Sequence, residues 1–251
     1  MRVSPRLEFA IRVAREAGDL TLRHFGSAQV EYKANSTPAT AADREAEAFI
    51  REAIRQTFPS EDIYGEEEGG SYSKTRWLID PIDGTKSFAC GVPLFATLLS
   101  FEIDGLPEVG VAHFPALSMT LAASKGGGAT LNGEPIRVSK KRDLATSTFC
   151  CAGHRSFDRL GLTGSLVALA QECMATRTWC DAYGHALVAM GRVEGMIDPV
   201  LEPYDISAMS LIVEEAGGKC TNFGGSAWPK GGAISSNGIF HDELLRRFRC
   251  E

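Results

Sequence analysis

The stretch Trp77-Leu78-Ile79-Asp80-Pro81-Ile82-Asp83-Gly84-Thr85-Lys86-Ser87 constrains this chain more than any other. The apolar run Trp77 to Ile79 predicts a short buried strand that carries Asp80 to its C-terminal end, where ligands gather in open α/β sheets. Pro81 lacks the N–H that a ladder needs, so the strand is expected to stop there. Gly84 permits a tight turn, after which the amides of Gly84, Thr85 and Lys86 are placed to open a helix. Two carboxylates three residues apart, beside free N–H groups, suit one pair of ligands. A hard divalent cation takes the carboxylates and a phosphate takes the amides. Asp-Gly is also a common turn dipeptide, and the same residues serve equally as a loop capping the next helix. The rest of the chain has to separate the two readings.

At 251 residues the chain can bury a sizeable core, as one large domain or two modest ones. The best candidate boundary is the polar seam Lys140-Lys141-Arg142-Asp143, dividing 1–142 from 143–251. A net charge of −6 without a basic cluster argues against nucleic acid as a partner. No apolar run approaches a membrane span, and the residues after Met1 lead into an amphipathic pattern rather than a signal peptide. The seven cysteines are odd in number and contain no Cys-x-x-Cys pair. They read as reduced, mostly core residues of a cytoplasmic protein, with neither a zinc site nor a disulfide framework.

Ser4-Pro5 reads as an N-cap followed by proline at the first helical position, opening a helix that ends near Gly26. A second amphipathic helix carries Ala42, Ala46, Phe49, Ile50, Ala53 and Ile54 and stops before Pro59. Asp43 follows Thr40 at capping-box spacing, so it serves either the helix terminus or a site. Glu66, Glu67 and Glu68, flanked by glycines, read as a solvated loop when taken alone. From Val92 to Val138 a mostly antiparallel meander is expected, punctuated by Asp104-Gly105, Gly126-Gly127-Gly128 and Asn132-Gly133. The triple glycine lacks the ending and helix of a phosphate-binding loop. Beyond the seam, strands are expected at 148–152, 196–197 and 233–235, with helices at 160–172, 182–190, 204–216 and through Leu244-Leu245. Asp205 falls in the first turn of its helix, as a dipole-capping residue or as a ligand presented at a helix N-terminus.

Gly65-Glu66-Glu67, the stretch from Trp77 to Thr85, Tyr204-Asp205-Ile206-Ser207-Ala208 and Glu215-Ala216-Gly217-Gly218 together resemble the inositol monophosphatase-like family, over about Leu7 to Phe248. The resemblance implies an α/β fold, a layered αβαβα sandwich of the metal-dependent carbohydrate phosphatase type, and a Mg²⁺-dependent phosphomonoesterase. Glu66, Asp80 and the carbonyl of Ile82 would hold one ion, and Asp80, Asp83 and Asp205 a second, with Glu66 sharing a weaker third. Thr85, Glu66 and Asp43 would orient and deprotonate water, and Asp83 with the amides of Gly84 and Thr85 would bind phosphate. Lithium inhibition and a homodimer are also implied. Phosphate monoester hydrolysis needs up to ~10²¹-fold acceleration. Two metals about 4 Å apart can activate water on one side and stabilise the leaving alkoxide on the other.

Lys86-Ser87-Phe88, the Pro203-Tyr204-Asp205 form and Cys180-Asp181-Ala182-Tyr183-Gly184 resemble the histidinol-phosphate phosphatase branch, which implies a place in histidine biosynthesis. Inositol-type members carry Trp before the second-domain aspartate and a small neutral residue where Asp181 stands. Asp181, Asp198 and Glu202 would set acids near the leaving group, favouring an ammonium and an imidazole over a neutral polyol. Asp181 also reads as the cap of the helix it precedes. Two alternatives stay open: another small ester, such as inositol 1-phosphate or a sugar phosphate, and a noncatalytic RNA-associated or regulatory protein on this fold. The histidines 113, 185 and 241 are assigned to structure, and His154, Arg155 and Lys86 to surface or core roles.

Overall fold

The computed structural model describes residues 4–26, 31–32, 38–39, 41–179, 181–227 and 231–249. Thr40 of the expected capping box, the preceding loop Asn35 to Thr37, Cys180 and Cys250 lie outside the described residues.

Helix α1 (Pro5–Leu22) starts as expected, with Ser4 Oγ accepting the Leu7 N–H at 3.2 Å, and ends a turn before Gly26. A small ladder β1 (Glu31–Tyr32) and β2 (Pro38–Ala39) precedes α2 (Ala41–Thr57). Then come β3 (Asp62–Gly65), β4 (Gly69–Gly70), β5 (Arg76–Asp83) and the one-turn α3 (Thr85–Ala89). The meander follows as β6 (Ala96–Ile103), β7 (Leu106–Phe114), β8 (Met119–Ser124), β9 (Gly128–Leu131) and β10 (Glu134–Pro135). Its turns use left-handed backbone where the turn dipeptides foretold it, at Asp104-Gly105 and Asn132-Gly133. The resulting sheet runs β10-β9-β8-β7-β6-β5-β3-β4, antiparallel except for the β3–β5 pair.

The second half contains β11 (Thr148–Cys151), α4 (His154–Arg159), α5 (Thr163–Glu172), β12 (Ala175–Arg177), α6 (Asp181–Ala189) and β13 (Gly195–Asp198). It closes with α7 (Pro203–Glu215), β14 (Lys219–Thr221), β15 (Ala233–Ser236) and α8 (His241–Arg247). The five-stranded sheet runs β12-β11-β13-β15-β14, with β12, β11 and β13 parallel.

Three expectations need correction. Pro81 does not end its strand: β5 continues to Asp83, because the register shifts between Asp80 and Asp83 and no ladder N–H is required there. The helix expected at 160–172 starts only at Thr163, because Gly161 turns left-handed (φ 69°) and separates it from α4. Strands β12 and β14, three residues each, have no counterpart in the sequence pattern, because so short a run carries no period.

Stacking gives an αβαβα sandwich. Helices α1 and α2 cover one face of the large sheet around Trp77, Ile79, Phe101 and Val111. On the other face a single core joins Leu98, Ala112 and Phe114 of that sheet to Met209 and Ile212 of α7 and to Phe149 and Ile197 of the small sheet. Helix α7 lies so close to β7 that a Cβ on Gly110 would stand 2.6 Å from the Ala208 carbonyl oxygen. This packing carries the N-terminus of α7 to the end of β5.

Candidate active site

Residues i and i+3 of a regular strand point to opposite faces. Asp80 pairs with Leu98 and Asp83 with Ala96, so β5 has one residue more than β6 between those pairs. That bulge brings both carboxylates to one side. The Ile82 N–H donates to Asp80 Oδ1 at 3.1 Å, and the Thr85 hydroxyl donates to the Ile82 carbonyl at 3.0 Å. Gly84 adopts φ 80°, and a Cβ there would stand 3.0 Å from the Leu94 carbonyl oxygen and 3.2 Å from Asp181 Oδ2. Only glycine fits that turn, which opens α3.

Glu66 arrives by register. Parallel pairing sets Gly65 against Ile79, and the Glu66 N–H donates to the Ile79 carbonyl at 3.1 Å, so its carboxyl meets that of Asp80. Asp205 comes from α7, where its Oδ2 accepts the Glu202 N–H at 2.7 Å. Capping and ligand roles are compatible here: one carboxylate oxygen serves the helix, while Asp80, Asp83 and Asp205 each offer an oxygen within 4.8 Å of the others. Asp43 is fully buried at the start of α2, after Ala42, which packs on Ile82 and Phe88.

Asp83 also reaches into the second half, its Oδ2 accepting the Ala182 N–H at 2.8 Å. The amide of the second residue of α6 is therefore held by Asp83. Asp181 itself is held left-handed at φ 58°, a conformation that costs a non-glycine residue about 1 kcal/mol or more. Its carboxylate lies against Gly84 and acts on Asp83, Asp198 and Asp205 through its charge. Asp198 ends β13, buried, with the exposed Lys86 partly offsetting its charge. Glu202 is exposed at the N-terminus of α7, and its charge reaches Asp205 and Tyr204.

Burial first, and then mutual repulsion, pushes Asp80, Asp83 and Asp198 well above the ordinary carboxylate range. Asp205 is pushed up to about 7, mainly by burial. Two full charges no more than 4.8 Å apart repel by at least about 3 kcal/mol at an effective dielectric of about 20. Among the described residues Asp80, Asp83 and Asp205 make no ion pair to offset this. A set of carboxylate and carbonyl oxygens with that excess of negative charge fits a hard divalent cation.

The histidines assigned to structure are buried and hydroxyl-bonded: His113 to Thr120, His185 to Ser235, and His241 to Thr221 and Ser236. Of the described cysteines, 150, 151, 173 and 220 are buried thiols and Cys90 is exposed. No described helix is long and apolar enough to cross a membrane. His154 and Arg155 line an apolar cleft of about 490 Å³ on α4 and α5, none of whose lining residues belongs to the acidic cluster.

Sequence reasoning overlooked two buried networks behind the acids. Ser207 of α7 donates to Glu102 Oε1 at 2.8 Å, and Glu102 pairs with Arg76 at 2.6 Å, which ties α7 to β5 and β6. Glu47 and Arg51 of α2 pair at 2.8 Å beneath the Glu66 turn. The available signal was a charge inside an otherwise apolar pattern: Glu102 in a strand, and Glu47 and Arg51 on the inner face of a helix.

The inositol monophosphatase family model matches residues 2–251. A histidinol-phosphatase of Chlorobaculum parvum is 39% identical over 258 residues, covering 97% of this chain and 96% of its own length. That of Mycobacterium tuberculosis is 36% identical, covering 97% and 98%. A solved inositol monophosphatase from Thermotoga maritima superposes with a TM-score of 0.90 at 36% identity, covering 98% of this chain and 97% of that one.

Proposed function

The chain belongs to the inositol monophosphatase family, and on that premise we propose that it is a histidinol-phosphatase, which cleaves L-histidinol phosphate with water to L-histidinol and phosphate. It is a phosphoric monoester hydrolase of a metal-dependent family. The observation that carries the finer reading is Asp181, strained into a left-handed conformation against Gly84 and backed by buried Asp198. Negative charge at that place favours a leaving alcohol bearing an ammonium group.

Asp80, Asp83, Asp205, Glu66 and the Ile82 carbonyl would hold Mg²⁺, two or three ions in all. When bound, the ions supply charge for the phosphoryl oxygens and acidity for water. The amides of Gly84 and Thr85, at the start of α3, would bind the phosphate. Thr85, Glu66 and Asp43 orient the attacking water and take its proton. Asp181 and Asp198, with Glu202 at the rim, orient the departing alcohol. In this reading residues 1–142 supply the hydrolytic centre, and 143–251 supply Asp205 and the leaving-group wall. A cytoplasmic homodimer inhibited by Li⁺ completes the proposal.

The test is phosphate release with Mg²⁺ from histidinol phosphate, inositol 1-phosphate, fructose 1,6-bisphosphate and adenosine 3′,5′-bisphosphate. We expect kcat/KM for histidinol phosphate to exceed the others by about 10-fold or more, the scale of a single ion pair. A preference for inositol 1-phosphate would favour the second reading, which the Thermotoga maritima likeness supports, and return Asp181 to local structure.

A further inference from the structure

Helix α2 buries a polar stripe. Asp43, Glu47 and Arg51 recur every four residues and so share one face, with exposures of 0%, 0% and 4%. Below Asp43, that face meets the β3–β4 hairpin, whose turn carries Glu66. Glu47 Oε2 accepts the Glu67 N–H at 2.7 Å, and Oε1 accepts the Glu68 N–H at 3.0 Å. Arg51 Nε donates to Glu47 Oε1 at 2.8 Å. The same guanidinium donates to the Gly69 carbonyl and lies 3.4 Å from the Glu68 carboxylate. The hairpin lies directly against this pair, so closely that a Cβ on Gly65 would stand 2.3 Å from Glu47 Oε1 and 2.8 Å from Arg51 Nη2.

The turn is therefore gripped on both sides of Glu66: its own N–H is held by the Ile79 carbonyl of β5, and the next two by Glu47. An ion pair serving stability alone would not need to receive two successive amides of that one turn. We propose that Glu47, oriented by Arg51, is a positioning residue that sets the Glu66 carboxylate at metal-binding distance from Asp80. The inference rests on the reading of Glu66 as a metal ligand. Glu47 touches neither metal nor substrate; it acts through the backbone of Glu67 and Glu68.

Glu47→Gln replaces one acceptor oxygen with an N–H that faces another N–H. The Mg²⁺ concentration for half-maximal turnover should rise about 10-fold, as for other outer partners of metal ligands, while turnover at saturating Mg²⁺ falls less than about 3-fold. Mg²⁺ binding to the resting protein, followed by titration calorimetry, should weaken by the same factor. Arg51→Lys keeps the charge and loses the planar fork, so it should give a smaller shift, about 3-fold. Unchanged Mg²⁺ affinity in a folded Glu47→Gln protein overturns the proposal. If that variant does not fold, unchanged affinity in Arg51→Lys overturns it instead. Glu66→Gln separates the two readings. If it weakens Mg²⁺ binding and Glu47→Gln does not, only the positioning role fails; if it leaves binding intact, the ligand reading fails as well.

Discussion

On one side of the acidic cluster, Asp80 and Asp83 stand on an eight-residue strand buried at every position, inside a sheet with partners on both edges. On the other side, Asp181 is a single left-handed residue at the start of a helix, and Glu202 is exposed. The first wall is fixed by main-chain ladders and a bulge. The second depends on individual side chains. Under the proposed function, the first wall performs the hydrolysis that all substrates share, and the second chooses the alcohol.

The sharpest way to break this comparison is Asp83→Asn. Turnover on every ester should fall by at least ~10³-fold, beyond the 10–100-fold typical of outer partners. The fold should survive, because Asn keeps an acceptor for the Ala182 N–H and removes one repelling charge. Near-normal turnover in a correctly folded variant would reject the site. Asp181→Ala should act unevenly: kcat/KM for histidinol phosphate should fall about 30-fold, equivalent to about 2 kcal/mol, and that for inositol 1-phosphate less than about 3-fold. Equal losses on the two esters would show that the second wall does not select.

The smallest effect is on stability. Without metal, Asp205 titrates near 7, against about 3.9 in the unfolded chain. Between those values the folded state binds more protons, so stability falls as pH rises. In chelator, the melting temperature should be a few degrees higher at pH 5.5 than at pH 8, at about 2–4 °C per kcal/mol. With saturating Mg²⁺ the order should reverse, because the ion requires ionised carboxylates. Asp205→Asn should lose part of the difference seen in chelator, the rest belonging to Asp80, Asp83 and Asp198, which burial raises as well. A wild-type protein whose chelator and Mg²⁺ melting curves respond alike to pH would detach Asp205 from the metal wall.

Legibility in the sequence followed the range of the interactions. The turn at Gly84, the hairpins at Asp104-Gly105 and Asn132-Gly133, and the first-turn place of Asp205 are local, and each shows in a few neighbouring residues. Pro81 misled because its strand is upheld by β3 and β6, which local propensity does not see. The grip of Asp83 on Ala182 joins residues 99 positions apart. The buried charges of Glu47, Arg51, Arg76 and Glu102 were hidden for the same reason: each is satisfied by a partner on another element.

Helix α7 has a consequence for how this molecule comes apart. One of its sides packs on the large sheet, while its other neighbours are α6 and the small sheet, so both sheets share a single apolar interior. Neither half can melt while the other keeps that interior intact, and neither can swing as an independent lobe. Unfolding is expected to be one cooperative transition, with Asp205 lost and regained together with the whole of the molecule.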